Sequence, residues 1–241
     1  NYLESFTNPL VKRIVEYRVL SKNRRDFIEG LVLKQNIGGR IHAQFHQLRN
    51  DRFGTRSGRF SSSNPNLQQI PSRHPYWGPL IRSLFLPDKG LRWGKFDYSQ
   101  QEPRLTVHYG ELCKLRGASA AAEVYRTDPK ADFHQLIADL TGLPRRQAKT
   151  VNLGLAYGMG LVKLAHELGM TVEEAKPILN RYHKDAPFMR QLSNVCNDRS
   201  MVAEEIITIL GRKRRLGDGN HHKALNALIQ GSAADVTKKA M

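Results

Sequence analysis

Arg145-Arg146-Gln147-Ala148-Lys149-Thr150-Val151-Asn152-Leu153-Gly154-Leu155-Ala156-Tyr157-Gly158 holds the residues best suited to chemistry. Arg145, Lys149, Leu153 and Tyr157 step by four and so share one face of a helix. Pro144 just ahead suits a first helical turn, where its missing N–H costs nothing. A helix N-terminus already carries partial positive charge. Placing Arg145, Arg146 and Lys149 there costs stability unless an anion is to be held, and a polyphosphate is the obvious candidate. Further along the face, Leu153 and the ring of Tyr157 make a platform for something flat, such as a base. An ordinary amphipathic helix with a solvated basic end has the same spacing, and spacing alone does not separate the two.

A second chemical candidate is Asp97, where the strand-like Leu91–Phe96 runs into Asp97-Tyr98-Ser99-Gln100-Gln101-Glu102. A helix follows from about Gln101 to Leu115, with Pro103 in its first turn. A carboxylate at a strand-to-helix corner can hold a metal, although a lone Asp there is more often a cap or turn former. The third candidate is the stretch from Thr55 to Pro71, rich in Ser, Asn, Gln, Gly and Arg, which breaks every period and reads as a loop. Its side chains are those that bond phosphate oxygens and base edges; the plain alternative is a polar linker.

The elements that must position these groups are mostly helical. Residues 1 to about 34 read as helix, and Gly38-Gly39 as a turn into a strand reaching Gln47. Leu80–Phe85 is a short apolar element, and Gly117–Pro129 a loose segment of small residues. Asp132–Gly142 is a helix closed by its glycine, on which His134 alone reads as a surface or capping residue. Thr171-Val172-Glu173-Glu174 is a capping box opening another helix, and Phe188–Val202 a further one. Ile206–Leu210 is a strand ending in the basic turn Gly211–Arg215. The last segment, His221–Met241, is a helix broken around Gln230-Gly231-Ser232.

Composition narrows the partner. Lys and Arg number 38 against 22 Asp and Glu in 241 residues, a formal net charge of +16, which points to a polyanion, most often nucleic acid. The 40% of hydrophobic residues argues for a folded chain. No apolar run reaches a membrane-spanning length, and a membrane-surface reading is weak because the basic residues lie on loops and strands. Cys113 and Cys196 form no CxxC, so a disulfide scaffold or zinc site is not indicated and a reducing cytoplasm is the expected compartment. There is no GxxxxGK[ST] loop, no dinucleotide fingerprint at Gly158-Met159-Gly160 and no GxSxG elbow, and His221-His222 lacks companions at metal-ligand spacing.

Four collinear segments resemble the family A DNA polymerases. Thr55–Pro71 looks like the stretch TGRLSSSDPNLQNIP, and Asp97-Tyr98-Ser99-Gln100-Gln101-Glu102 is similar to motif A, DYSQIELR. Arg145–Gly158 follows motif B, RxxxKxxxFGxxYG, in spacing, and Gln230-Gly231-Ser232-Ala233-Ala234-Asp235 resembles the QGTAAD segment before motif C. The resemblance implies an α/β (α+β) right-hand fold, with an antiparallel palm sheet, helical fingers and part of the thumb. Residues 1–50 would be a thumb remnant, 51–131 palm, 132–212 fingers and 213–241 a truncated return to the palm.

The resemblance also implies roles. Arg145 and Lys149 would grip the phosphates of an incoming deoxynucleoside triphosphate, with His134 touching them. Gln100 and Leu153 belong to the same nucleotide site, and Tyr157 would pack near the template base. Glu102 would crowd the sugar 2′ position and exclude ribonucleotides. Asp97 and Tyr98 are the metal positions for Mg²⁺, of which two ions are expected in a complete enzyme. Arg56, Asn66, Gln68, Asn226 and Gln230 match contacts to the primer–template. The implied protein is a monomer of a bacterial or phage-infected cytoplasm, without a membrane partner.

This sequence departs from the pattern in several places. The second catalytic aspartate, in motif C, does not appear before Met241, so the chain is expected to be an inactive fragment of a polymerase. Leu153 stands where the family has an aromatic, and Gln101 and Pro103 replace Ile and Leu, as in a divergent, phage-like branch. The rival readings are a non-catalytic DNA-binding protein that kept the fold and a single-subunit RNA polymerase, against which Glu102 speaks.

Overall fold

The computed structural model describes residues 7–241 apart from Asp51, Arg73, Tyr157 and Asp218. The chain forms two compact units, one of residues 1–56 with 60–96 and one of 57–59 with 97–241.

The first unit begins with α1 (Pro9–Lys22), whose N-cap Asn8 accepts from the Leu10 N–H at 2.9 Å. The helix continues without a break as a π-helical stretch, Asn23–Leu33. β1 (Asn36–Ile37) and β2 (Arg40–Ile41) pair antiparallel across Gly38 and Gly39, whose φ of 59° and 82° close the turn. β3 (Gln44–His46) pairs with β4 (Ser61–Ser63), so part of the expected loop is a ribbon edge. A 3₁₀ turn at Leu67–Gln69 and the short α2 (Trp77–Arg82) follow, with Ile81 and Leu31 buried.

The strand expected over Leu91–Phe96 does not form. A strand needs a partner for its backbone N–H and C=O groups, and none pairs with it among the described residues. Leu91, Trp93 and Phe96 accordingly stand exposed, Phe96 at 97%.

Among the described residues, the second unit carries eight of the ten α-helices. α3 (Gln101–Leu112) accepts Pro103 in its first turn, as expected. α4 (Ala118–Thr127) replaces the loose segment expected over Gly117–Pro129. The small residues there are alanines, the strongest helix formers, and Ala118, Ala121 and Ala122 are buried at helical spacing. Gly110 of α3 allows the close approach, since a Cβ there would lie 3.1 Å from that of Ala118.

α5 (Phe133–Thr141), α6 (Arg145–Ala156), α7 (Leu161–Leu168) and α8 (Val172–Asp185) come next, and α8 opens with the predicted capping box of Thr171 and Glu174. α9 (Pro187–Ala203) then runs to the hairpin of β5 (Glu205–Ile207) and β6 (Lys213–Arg215). α10 (Ala224–Ala240) closes the chain unbroken. Gly231 marks contact here and not a break, for a Cβ on it would come within 2.6 Å of Thr208 Cγ2.

The larger core gathers Val107, Phe133, Ile137, Val151, Leu164, Tyr182 and Phe188 from α3 and α5–α9; a second packs α10 against Leu105, Leu192 and Ile206. The molecule is thus a mixed α/β fold whose described strands make three two-stranded antiparallel ribbons. Among the described residues no helix is long and apolar enough to cross a membrane.

Candidate nucleotide and nucleic-acid interface

Sequence dictates a tight corner before α6. Asp132 caps α5, its Oδ1 accepting from the N–H groups of His134 at 2.9 Å and Gln135 at 3.3 Å. Gly142 ends α5 with φ of 71°, its N–H donating to Ala138 O at 2.8 Å. α6 then starts beside the start of α5, and Arg145 reaches back to Asp132: Nε and Nη2 lie 2.6 Å and 2.5 Å from the same Oδ2. Burial pushes the Asp132 carboxyl up. The Arg145 hydrogen bond and the two capping N–H groups outweigh it and leave the group below its ordinary value.

On α6, Ala148, Val151 and Asn152 are buried, which turns Arg145, Arg146 and Lys149 outward and leaves Leu153 half-buried. His134 is neither a surface residue nor a cap, being only 6% exposed. Its Nδ1 lies 3.3 Å from Asn152 Nδ2, while Asn152 Oδ1 accepts from the Tyr182 hydroxyl at 2.9 Å. With its oxygen engaged, the Asn152 amide offers only N–H to the imidazole, so Nδ1 accepts and the neutral ring keeps its proton on Nε2. Burial holds His134 below its usual value; Asp132 opposes this, and Lys149 and Arg145 add to it. Asp132 thus joins the His134 N–H and the Arg145 guanidinium at one corner. Tyr157, expected to extend this face, lies outside the described residues.

Gln100 has a structural duty at this corner. It adopts φ of 52°, and its side chain donates from Nε2 to Ala131 O at 2.7 Å and accepts from the Phe133 N–H at 2.8 Å. It thus ties the start of α3 to the start of α5. Arg104 reinforces the tie, donating to Ser99 O at 3.0 Å and lying 4.3 Å above the ring of Tyr125. Burial pushes the Tyr125 hydroxyl to about 12, with Arg104 opposing. Asp97 is exposed in a segment without regular structure, and Tyr98 beside it is half exposed. No three His, Cys, Asp or Glu side chains among the described residues converge as a metal cluster.

Glu102 is ion-paired with Arg59. Aligned residue by residue with TGRLSSSDPNLQNIP, Ser57-Gly58-Arg59-Phe60 falls on TGRL, so Arg59 stands at the arginine of that stretch and Arg56 three residues ahead of it. Asn66 accepts from the Gln68 N–H at 3.1 Å, and Gln68 Nε2 donates to Phe60 O at 3.1 Å, so both shape the loop that presents them. Arg56, Asn66 and Gln68 are exposed in the first unit. In the second, Asn226 and Gln230 lie one turn apart on α10, half-buried in the stretch Ala224–Asp235 whose other residues are buried.

The QGSAAD segment contributes more than the two amides. Asp235 is 8% exposed and accepts from Arg212 Nε at 2.8 Å and from the Thr208 hydroxyl. Arg212 Nη2 donates to Ser57 O at 2.9 Å and Gly231 O at 3.0 Å, which anchors residues 57–59 to the hairpin and to α10. Asp132, Arg59, Arg212 and Asp235 were not singled out from sequence. Arg59 and Asp235 left a local signal in their places within the aligned stretches, and Asp132 in its place at the start of a predicted helix.

The profile of DNA polymerase family A matches residues 1–241. The chain belongs to that family. A DNA-directed DNA polymerase of Pseudomonas phage M6 is 35% identical over 293 aligned positions, covering 99% of this chain and 44% of that protein. DNA polymerase I of Geobacillus stearothermophilus is 36% identical over 246 positions, covering 96% of this chain and 27% of that protein. Among solved structures, the POL domain of Pol1 from M. smegmatis, in complex with DNA primer-template and dNTP, superposes with a TM-score of 0.81 at 29% identity. It covers 99% of this chain, which in turn covers 43% of it. This family A chain thus spans less than half the length of these relatives.

Proposed function

We propose that this chain supplies the nucleotide-gripping and primer–template-contacting residues of a DNA polymerase, which adds deoxynucleoside triphosphates to a primer 3′-OH. The observation that carries the reading is the outward face of α6, where Arg145 and Lys149 are exposed and Arg145 is held by Asp132, the residue that caps α5 beside the buried His134. Phosphoryl transfer is mostly positioning and charge stabilisation, and this face provides both. Arg145 and Lys149 neutralise phosphate oxygens, while His134 donates a hydrogen bond as a neutral ring. Leu153 offers the nascent base pair an apolar surface but no flat ring.

Glu102, fixed by Arg59, crowds the sugar 2′ position. Arg56, Asn66, Gln68, Asn226 and Gln230 contact the primer–template, and the +16 net charge strengthens that binding at low salt. The exposed Asp97 carboxylate beside Tyr98 offers the hard oxygen donors that Mg²⁺ takes together with substrate phosphates. Mg²⁺ held there by Asp97 would lower the pKa of the primer 3′-OH and stabilise the leaving pyrophosphate. Asp97 is a single carboxylate, so these residues by themselves are expected to bind substrates without turning them over. The chain acts as a monomer, with residues 1–50 on the thumb side, 51–131 and 213–241 in the palm and 132–212 as fingers.

The test is templated discrimination in binding. Anisotropy of a labelled primer–template is followed with each deoxynucleoside triphosphate in turn and with the matching ribonucleotide. The expected result is that the deoxynucleotide complementary to the next template base strengthens the complex, and that the ribonucleotide does so only in Glu102→Ala. DNA binding indifferent to every nucleotide would favour the non-catalytic DNA-binding reading.

A further inference from the structure

We propose that Asp132 is a placeholder anion for Arg145: without nucleotide it holds the guanidinium that a polyphosphate takes, and binding proceeds by exchanging one anion for the other. The proposal rests on the nucleotide-site reading above and deepens it. The two oxygens of Asp132 have separate duties. Oδ1 caps α5 through the N–H groups of His134 and Gln135, while Oδ2 receives both Nε and Nη2 of Arg145. The cap keeps the carboxylate in place whether or not Arg145 stays, so the arginine is the partner that moves.

Exposure agrees with this division, since the Arg145 side chain is 52% exposed and that of Asp132 only 27%. The guanidinium is reachable from solvent, and its planar fork suits a phosphate as well as a carboxylate. Arg145, Arg146 and Lys149 crowd a helix N-terminus, and Asp132 offsets part of that charge while no ligand is present.

Exchange also sets what can bind. A ligand must offer Arg145 more than a fixed carboxylate does, which favours densely charged polyphosphates over monophosphates. After transfer, Asp132 recaptures Arg145 as the pyrophosphate leaves, which opposes its return.

Asp132→Asn tests the idea because asparagine caps a helix about as well as aspartate but carries no charge. Asp132→Ser serves as a second uncharged cap, and thermal unfolding checks that each variant folds. Wild type and variants are titrated with inorganic tripolyphosphate by calorimetry. The pair is half-exposed, so the expected gain in affinity is modest, about two- to fivefold in Asp132→Asn. In an Arg145→Ala background the same change is expected to bring no gain. Equal or weaker binding by Asp132→Asn, with wild type still binding, overturns the placeholder role and leaves the nucleotide site standing. A gain that persists without Arg145 also overturns it, because general charge removal then explains the effect. If neither wild type nor Asp132→Asn takes tripolyphosphate, the nucleotide-site reading fails and the placeholder role falls with it.

Discussion

Arg145 and Arg212 each face an aspartate, yet the two pairs differ in kind. Arg212 is 33% exposed and Asp235 8%, and Arg212 also donates to the carbonyls of Ser57 and Gly231 while Thr208 donates to Asp235. Arg145 is 52% exposed, and Nε and Nη2 both meet a single oxygen of Asp132. The first pair joins residues distant in sequence and is surrounded by protein. The second sits at a helix corner open to solvent. The same chemistry therefore serves as scaffold where carbonyls share the guanidinium inside the fold, and as exchangeable grip where the guanidinium faces out.

The sharpest way to break this contrast is to remove the two aspartates in turn. Asp235→Ala strands Arg212 in a partly buried site and is expected to cost about 3 kcal/mol, read by urea unfolding. A loss below about 1 kcal/mol would make that pair no more structural than an exposed one. Asp132→Ala is expected to cost about 1 kcal/mol, chiefly through the lost cap, and Asp132→Asn almost nothing. Equal losses in those two variants would show that the ion pair, and not the cap, supports the fold there.

The smallest expected effect is a pH dependence centred on His134. Burial lowers its value from an ordinary 6.5, so between the two values the unfolded chain binds more protons than the folded one. Stability is then fully present above about 6.5 and is lost as pH falls through that value toward the depressed one. His183, lowered by burial and by Arg190, adds a slope of the same sign. His134→Gln is expected to flatten part of the decline in chemical unfolding between pH 7 and 5, whereas an unchanged slope would assign it to other groups.

How much of this could be read from sequence follows from the range of the interactions. α5, α6, α8 and α9 were legible because caps and an apolar stripe are local signals, as in Asp132, Gly142, Thr171 and Glu174. α4 was missed because alanines were read as loose, although their propensity and the buried face of Ala118, Ala121 and Ala122 make a helix. α10 was expected to break at Gly231, whose real cause is the hairpin packed against it. The unformed strand at Leu91–Phe96 shows the reverse case, an alternating pattern whose outcome depends on a partner elsewhere in the chain.

At the site, the face of Arg145, Lys149 and Leu153 could be read from spacing. The engagement of Arg145 by Asp132, of His134 by Asn152 and of Glu102 by Arg59 could not, since each joins separate elements. His134 illustrates the cost. Alone it reads as a surface histidine, and only the Asn152–Tyr182 relay shows it as a buried donor.

One face of α6 is proposed to grip phosphates through placed side chains and not through the general positive charge of the chain. The direct measurement is the triphosphate affinity of Lys149→Ala beside Lys184→Ala, an equal loss of charge at the exposed end of α8. Losing a charge-assisted hydrogen bond predicts about tenfold or greater weakening in Lys149→Ala, with Lys184→Ala within about twofold of wild type. Equal weakening in both, or in neither, would contradict the account.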